Sequence, residues 1–253
     1  MKWILRLFPR VVLITVGEWI RPILKILCSG RKYTDPIDQS RYRIFLGYGH
    51  GKNYRKKVLC PGTFSLERHR LLWLYMKNKT DLLDRKLKVL HFAPEPPLLK
   101  QFKEIQNWDY TTADLTSPLA DLKVDLCHLP FDDQTFDLIM CNHVLEHIEN
   151  DAQAMRELYR ILTITGILIA MVPLNSKSKT TYENPQIKSK KMRKKHFGQY
   201  DHVRVYGMDY KIRLEKKGFH VEFINYASEL KQSELERYRL DFEEIIPIAI
   251  KRV

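Results

Sequence analysis

Short apolar runs alternate with amphipathic stretches through the middle of the chain. Four strands are predicted, at residues 87–93, 109–115, 136–141 and 167–172, and the runs at 136–141 and 167–172 have the apolar character of buried strands. A helix is predicted at residues 97–107, and another after Asn150, where apolar side chains recur on one face. This alternation predicts parallel βαβ units with right-handed crossovers, and therefore an α/β fold.

Local signals define several element ends. Asn150 is a predicted N-cap with Gln153 three positions on, as in a capping box, and Gly166 is predicted to close that element. Further helices are predicted at residues 63–76 and 208–217, and further strands at residues 219–226 and 245–251.

Polar side chains gather where the strand at 136–141 ends. Asn142, His143 and Glu146 follow it at once, and in an open parallel sheet ligands bind at this edge. The alternative is a buried strand followed by an ordinary loop.

The segment LPFDDQTFDLIMCNHVLEH at residues 129–147 resembles the core of class I S-adenosylmethionine-dependent methyltransferases. The resemblance, to a bacterial type 11-like subgroup, covers most of residues 60–230. It implies a Rossmann-like sheet, mostly parallel with an antiparallel carboxyl-terminal strand and with helices on both faces, and S-adenosylmethionine as the cofactor.

Cofactor-binding residues follow from the resemblance by position. Asp114 ends the second strand, where an acid meets the ribose hydroxyls. Asp125 and Leu126 lie at the positions where proteins of this family commonly bind the adenine. Asn142 and His143 match the wall that faces the sulfonium and the methyl group.

The turn after the first strand departs from the usual pattern, because HFAPEPP at residues 91–97 contains no glycine. Ala93 is small enough for close approach, whereas Pro94 removes a backbone donor and fixes φ. The subgroup carries a similar Ala-Pro-Glu turn, which implies that Glu95 meets the ammonium group of the cofactor.

Methyl transfer requires alignment and one base near the methyl group, so a metal is not required and no metal ligand is assigned. The catalytic candidates are His143 and His202. Asp201, Arg204 and Tyr206 are candidates for binding the acceptor, and a turn would let Asp201 set the tautomer of His202. The alternative for this block is a polar loop that anchors the lysine-rich segment before it.

Three segments are predicted along the chain. Residues 1–28 form a basic amphipathic segment, residues 29–80 a small subdomain with a linking helix, and residues 81–253 the methyltransferase domain with a basic insertion at 175–207. The insertion is either a lid over the ligand site or a mobile solvated loop.

The small subdomain resembles a zinc ribbon that has lost its ligands. The positions of its two Cys-x-x-Cys knuckles read DPID at residues 35–38 and CPGT at residues 60–63, so one sulfur remains of four. Aspartate, threonine and one thiol are a poor set for structural zinc, which predicts a ribbon without metal, His69 being a less favoured substitute ligand.

Net charge of +13 favours an anionic partner. Four unpaired cysteines favour a cytoplasmic location. The amino-terminal segment, interrupted at Pro9 and Pro22, lacks the ~20 apolar residues of a membrane span. It either lies on an anionic membrane surface, at the inner face, or docks on the domain.

The leading hypothesis is methyl transfer to an unidentified acceptor, favoured as an oxygen of a glycan or lipid-linked sugar. The alternative is a non-catalytic basic protein that binds nucleic acid or a membrane surface. Nucleic acid is less favoured because aromatic residues are not interleaved with the lysines of the insertion.

Overall fold

A computed structural model describes residues 10–49 and 54–252 of the chain. The chain forms two compact units. The amino-terminal unit comprises Met1–Leu83, Glu95–Ile105 and Asn225–Glu244, and the sheet unit comprises Asp84–Pro94, Gln106–Ile224 and Ile245–Val253. The prediction of one domain from residue 81 onward differs from this arrangement at residues 81–83, Glu95–Ile105 and Asn225–Glu244.

The strands are β1 (Ser29–Thr34), β2 (Arg41–Tyr42), β3 (Leu46–Tyr48), β4 (Arg55–Leu59), β5 (Leu87–Phe92), β6 (Trp108–Asp114), β7 (Leu122–Lys123), β8 (Phe136–Cys141), β9 (Leu162–Ile169), β10 (Tyr182–Glu183), β11 (Arg204–Val205), β12 (Phe219–Ile224) and β13 (Ile246–Lys251). The helices are α1 (Arg10–Leu27), α2 (Glu67–Lys79), α3 (Pro96–Lys103), α4 (Asp151–Ile161), α5 (Lys190–Phe197), α6 (Tyr210–Glu215) and α7 (Gln232–Tyr238).

A seven-stranded sheet organises the sheet unit, in the order β12-β13-β9-β8-β5-β6-β7. Strands β5 to β9 pair in parallel, whereas β13 is antiparallel to both β9 and β12. The predicted Rossmann-like sheet with an antiparallel carboxyl-terminal strand is confirmed.

The core of this unit contains the predicted apolar runs. Leu90 of β5, Ile139 of β8 and Leu168 of β9 are fully buried, and each contributes about 1.5–3 kcal/mol through burial of its apolar surface. Helix α4 starts as predicted, because the Asn150 side chain accepts a hydrogen bond from the backbone N–H of Gln153 at 3.1 Å.

The end of α4 differs from the prediction. The helix stops at Ile161, and β9 begins at Leu162, so Gly166 lies inside the strand. The register of β9 against β8 is irregular between its first and second pairs, and a Cβ at Gly166 would lie 2.8 Å from the Thr163 carbonyl oxygen. The glycine therefore permits a close backbone approach in an irregular strand and does not terminate the helix.

Buried Arg70 joins distant segments of the amino-terminal unit. Its guanidinium donates hydrogen bonds to the carbonyl oxygens of Ser65 at 2.6 Å, Val58 at 3.0 Å, Tyr238 at 2.7 Å and Arg239 at 2.7 Å. The last two residues end helix α7, so these bonds account for a carboxyl-terminal segment belonging to this unit. Charge-assisted hydrogen bonds of this kind are stronger than neutral ones.

Residues 35–38 and 60–63, which the sequence analysis compared with the knuckles of a zinc ribbon, are hydrogen-bonded to one another. The Asp35 carboxylate accepts hydrogen bonds from the hydroxyls of Thr63 and Ser65 and from the backbone N–H of Ile37. Burial, with the charge of Asp35, raises the pKa of the Cys60 thiol to about 12.

Helix α1 continues through Pro22, so the predicted interruption there is wrong; residues 1–9, with Pro9, lie outside the described residues. One side of the helix contacts the amino-terminal unit, where Arg21 stacks on Phe64 and Lys25 pairs with Asp38 at 3.1 Å. No helix within 10–49 or 54–252 combines the length and hydropathy of a bilayer span.

The basic insertion is partly ordered into regular elements. Helix α5 begins at an N-cap, where the Ser189 hydroxyl accepts a hydrogen bond from the backbone N–H of Met192. Strand β10 pairs with β11, which ends the insertion. Lysines of the insertion therefore lie partly on a helix, which the sequence analysis did not predict.

Candidate functional site

Three neighbouring parallel strands end at the same edge of the sheet. In the order β8-β5-β6, Phe92 pairs with Cys141 on one side and with Ala113 on the other. The residues that follow these pairs are Asn142, Ala93 and Asp114, so the sheet brings these three predicted residues to one edge. Ligands of open α/β sheets bind at such an edge.

The turn after β5 adopts a conformation that glycine usually supplies. Ala93 has φ of +48°, and its backbone N–H donates to the Ala113 carbonyl at 2.8 Å. For a residue other than glycine this left-handed region costs about 1–2 kcal/mol. The turn therefore has the left-handed backbone conformation that glycine usually adopts, although it contains no glycine.

Asp114 is half-buried at the end of β6. Its Oδ1 accepts hydrogen bonds from the backbone N–H groups of Thr116 at 2.7 Å and Ser117 at 2.5 Å. Within the described part of the chain, Oδ2 has no hydrogen-bond partner. A fixed carboxylate with one oxygen available fits the pair of hydroxyls of a ribose.

Asp125 and Leu126 face different surroundings. Asp125 is exposed, and its Oδ1 accepts from the backbone N–H of Cys127 at 2.9 Å. Leu126 is buried and packs in the hydrophobic core of the sheet unit. The carboxylate and the backbone of this turn are thus the parts open to a ligand.

The residues after β8 are fixed by the chain that follows β9. Asn142 is buried and accepts from the backbone N–H of Met171 at 3.1 Å, while the backbone N–H of His143 donates to the Met171 carbonyl at 2.7 Å. His143 has φ of +55°, a conformation uncommon outside glycine. Strained backbone of this kind clusters at functional sites.

Five side chains form a histidine–carboxylate cluster next to this turn: His143, Glu146, His147, Asp201 and His202. His143 Nδ1 lies 3.4 Å from Glu146 Oε1, and His147 Nδ1 lies 3.5 Å from Asp201 Oδ2. The rings of His147 and His202 meet edge to face with centroids 4.7 Å apart. Two carboxylates and three imidazoles therefore share one small region of the sheet unit.

Charge states in the cluster follow from burial and neighbours. Burial opposes ionisation of Glu146, but its hydrogen bond with His143 and the charges of His143 and His147 outweigh burial and lower its pKa. Burial lowers the pKa of His202, although the charges of Glu146 and Asp201 act in the opposite direction. At neutral pH the cluster thus holds an ionised Glu146 and a neutral His202.

Comparison with known proteins shows which family this part of the chain matches. Residues 80–170 match the family model described as a methyltransferase domain. Residues 80–170 therefore carry a methyltransferase domain. The predictions of the family and of its cofactor class are confirmed.

Several individual proteins are similar to the chain. An uncharacterized protein of Methanocaldococcus jannaschii is 50% identical over 48 residues, which make up 19% of this chain and 21% of that protein. The match thus spans about a fifth of the curated relative. The solved [4+2]-cyclase SpnF has a TM-score of 0.50 with 15% identity over 94% of this chain and 96% of its own.

A second solved structure is that of the Burkholderia thailandensis 1,6-didemethyltoxoflavin-N1-methyltransferase with bound S-adenosylhomocysteine. It has a TM-score of 0.48 and 14% identity, and the alignment covers 74% of this chain and 78% of that chain.

Arg204 of the sheet unit is only 4% exposed and supports the turn after β8. Its guanidinium donates to the carbonyls of Leu145 at 3.0 Å, Glu149 at 2.9 Å and Ile148, and to the Glu183 carboxylate at 2.9 Å. The Arg204 guanidinium is thus hydrogen-bonded to other parts of the protein, whereas the sequence analysis assigned this side chain to binding the acceptor. The structure gives it a positioning contact with the segment that holds Glu146 and His147.

Tyr206 is likewise fully buried, and its hydroxyl donates to Asp151 at 2.7 Å.

Asp201 contacts His147 and makes no hydrogen bond with His202, so the predicted cooperation of Asp201 with its neighbour in sequence differs from the geometry. The partner of Asp201 is His147, to which the sequence analysis gave no role. The spacing H-x-x-E-H at residues 143–147 is the sequence signal that could have identified His147 as a candidate.

Glu95 belongs to the amino-terminal unit. Its Oε1 lies 2.9 Å from His69 Nε2 and 3.8 Å from Arg68 Nε, and its side chain is largely buried. These contacts differ from the predicted contact with the cofactor ammonium group, and they give Glu95 a place in the packing of helix α2.

Proposed function

We propose that the methyltransferase domain transfers a methyl group from S-adenosylmethionine to a hydroxyl oxygen of its acceptor. The observation that carries the proposal is the sheet edge, where Ala93, Asp114 and Asn142 lie next to His143, whose Nδ1 is 3.4 Å from Glu146 Oε1. When bound, the cofactor supplies an electrophilic methyl group on a sulfonium that leaves as a neutral thioether.

The cofactor contacts follow from the side chains at the edge. Asp114 binds the ribose hydroxyls through Oδ2, and the Ala93 turn admits the amino-acid part of the cofactor close to the backbone. Asp125, with the backbone at Leu126, binds the adenine, and Asn142 forms part of the wall beside the sulfonium. The support is the available carboxylate oxygen of Asp114 and the glycine-like angle of Ala93.

The base in this proposal is His143. Its Nδ1 faces the ionised Glu146, which fixes the ring and stabilises the imidazolium that forms when the acceptor hydroxyl loses its proton. The acceptor oxygen then takes the methyl group, and the proton leaves from the imidazole to water. His202, neutral because burial lowers its pKa, is the second imidazole able to accept a proton.

The favoured acceptor is a glycan or a lipid-linked sugar at a membrane surface, with Asp201 as a contact. Support comes from helix α1, which presents an unpaired apolar face to solvent, and from the net charge of +13. The exposed residues of this face are Val16, Trp19, Ile20, Ile23, Ile26 and Leu27. Their helical spacing places them on one stripe, which suits a helix lying in a membrane interface.

A turnover assay tests the proposal. Purified protein, S-adenosylmethionine and an extracted lipid-linked glycan fraction are expected to release S-adenosylhomocysteine, and His143→Asn is expected to lower kcat by about 10²–10⁴-fold, the usual contribution of a general base. His220→Asn, on β12, is the matched control and keeps the wild-type rate. Equal kcat for wild type and His143→Asn would remove His143 as the base.

A further inference from the structure

Three members of the histidine–carboxylate cluster bring possible metal ligands together. Glu146, His147 and His202 each offer one ligand atom, and these atoms all lie within 4.8 Å of one another. Around one zinc ion, with bonds of about 2.1 Å, tetrahedral ligand atoms are about 3.4 Å apart. Side-chain rotations that close the set by at most about 1.4 Å are therefore sufficient.

Buried atoms of the cluster lack hydrogen-bond partners within the described part of the chain. They include Glu146 Oε2 and His202 Nε2, in side chains that are 1% and 4% exposed as residues, and also His143 Nε2 and Asp201 Oδ1. A buried polar atom without a partner costs about 1–3 kcal/mol. A bound cation would remove this cost for Glu146 and His202 together.

The surroundings of the two imidazoles are those of metal ligands. His202 Nε2 has no hydrogen-bond partner within the described part of the chain, which leaves this nitrogen available to a metal ion. His147 faces the Asp201 carboxylate through Nδ1. Metal-binding histidines usually have a carboxylate or carbonyl at the second ring nitrogen, which fixes the tautomer.

We propose that Glu146, His147 and His202 bind one divalent transition-metal ion, with zinc as the best match to two imidazoles and a carboxylate. Three protein ligands leave a coordination position open.

The open position defines a class of acceptor, and this step alone rests on the proposed function. A hydroxyl oxygen of the acceptor is the ligand that completes the site, and its binding to the cation would lower the pKa of that hydroxyl. With His202 bound to the ion, His143 is the remaining imidazole that accepts the proton.

Titration of metal-free protein with zinc chloride, followed by calorimetry, tests the site. Wild type is expected to bind one zinc ion per chain, and His202→Asn and Glu146→Gln are expected to bind it at least tenfold more weakly. Two control variants are expected to bind as wild type does: His220→Asn, an imidazole outside the cluster, and Cys60→Ser, which removes the remaining sulfur of the knuckles. His147→Asn, at a half-buried side chain, gives the same result if His202→Asn does not fold.

Wild-type affinity in folded His202→Asn or His147→Asn would overturn the proposal, as would loss of zinc in Cys60→Ser alone or no binding by wild type. A parallel titration with S-adenosylmethionine separates the two proposals. Zinc bound by a protein that does not bind the cofactor supports the metal site and contradicts the proposed function. Cofactor binding without zinc binding supports the proposed function and contradicts the metal site.

Discussion

Ala93 shows how a residue other than glycine adopts a left-handed backbone conformation in the turn after β5. Its φ of +48° lies in the left-handed region, where a Cβ is costly. The sequence identified the missing glycine and the small side chain, but not the angle, because φ depends on the hydrogen bond to Ala113 in the neighbouring strand.

A substitution series at Ala93 checks this account. Ala93→Gly is expected to raise the free energy of unfolding by up to about 1 kcal/mol, since relief of the strained angle exceeds the entropy that glycine adds to the unfolded chain. Ala93→Val is expected to lower it by about 1–3 kcal/mol, because a β-branched residue is disfavoured at positive φ. Urea unfolding measures both, and a Val variant as stable as wild type would contradict the strain.

The site residues divide by how far their partners lie along the chain. Glu146 and His143 are near in sequence, and their polar placement after β8 was predicted. The contact between His147 and Asp201 joins residues more than fifty positions apart, and no local pattern in the sequence specifies it.

Among the elements, the strands and helices with strong local signals were predictable. Strand β8 has the predicted bounds, and α4 has the predicted cap. Helix α5 was missed because its sequence, KKMRKKHF, has no apolar stripe, and its start depends on the Ser189 cap. The beginning of β9 was missed because its irregular pairing depends on the neighbouring strand.

The turn after β8 depends on Arg204 for its shape, and this contact gives a prediction about stability. Arg204→Met removes the donors to three carbonyls and leaves the buried Asp151 carboxylate, 3.6 Å away, without that charge. The free energy of unfolding is expected to fall by about 3–5 kcal/mol, the usual effect of removing one partner of a buried ion pair.

Thermal and urea unfolding of Arg204→Met, compared with Arg156→Met, measure the effect. Arg156 is exposed on α4 and contacts Gln153, so its substitution is expected to cost less than about 1 kcal/mol. Equal stabilities of the two variants would show that Arg204 does not support the turn.

Helix α1 gives a prediction at the same scale. A triple serine variant at Trp19, Ile23 and Ile26 removes the centre of the exposed apolar stripe and is expected to reduce co-sedimentation with vesicles that contain anionic phosphatidylglycerol by at least tenfold. A double serine variant at Ile212 and Phe242, which are also exposed, is the control. Equal sedimentation of all three proteins would contradict membrane contact through α1.

At the scale of the whole molecule, sequence order and compact units do not coincide. The segment Asn225–Glu244 lies late in the chain, yet it belongs to the amino-terminal unit. The bonds from Arg70 to Tyr238 and Arg239 hold it there, across more than 160 residues of sequence. Hydropathy patterns report local structure, so the division at residue 81 was a consequence of order along the chain.

The central claim, that the sheet edge binds S-adenosylmethionine, is tested most directly by calorimetric titration of the cofactor into three proteins. Wild type and Asp109→Ala, an exposed carboxylate on the same strand, are expected to bind one molecule per chain with equal affinity. Asp114→Ala is expected to bind at least tenfold more weakly, a loss of about 1.4 kcal/mol or more. No binding by wild type, or the same affinity in Asp114→Ala, would contradict the account.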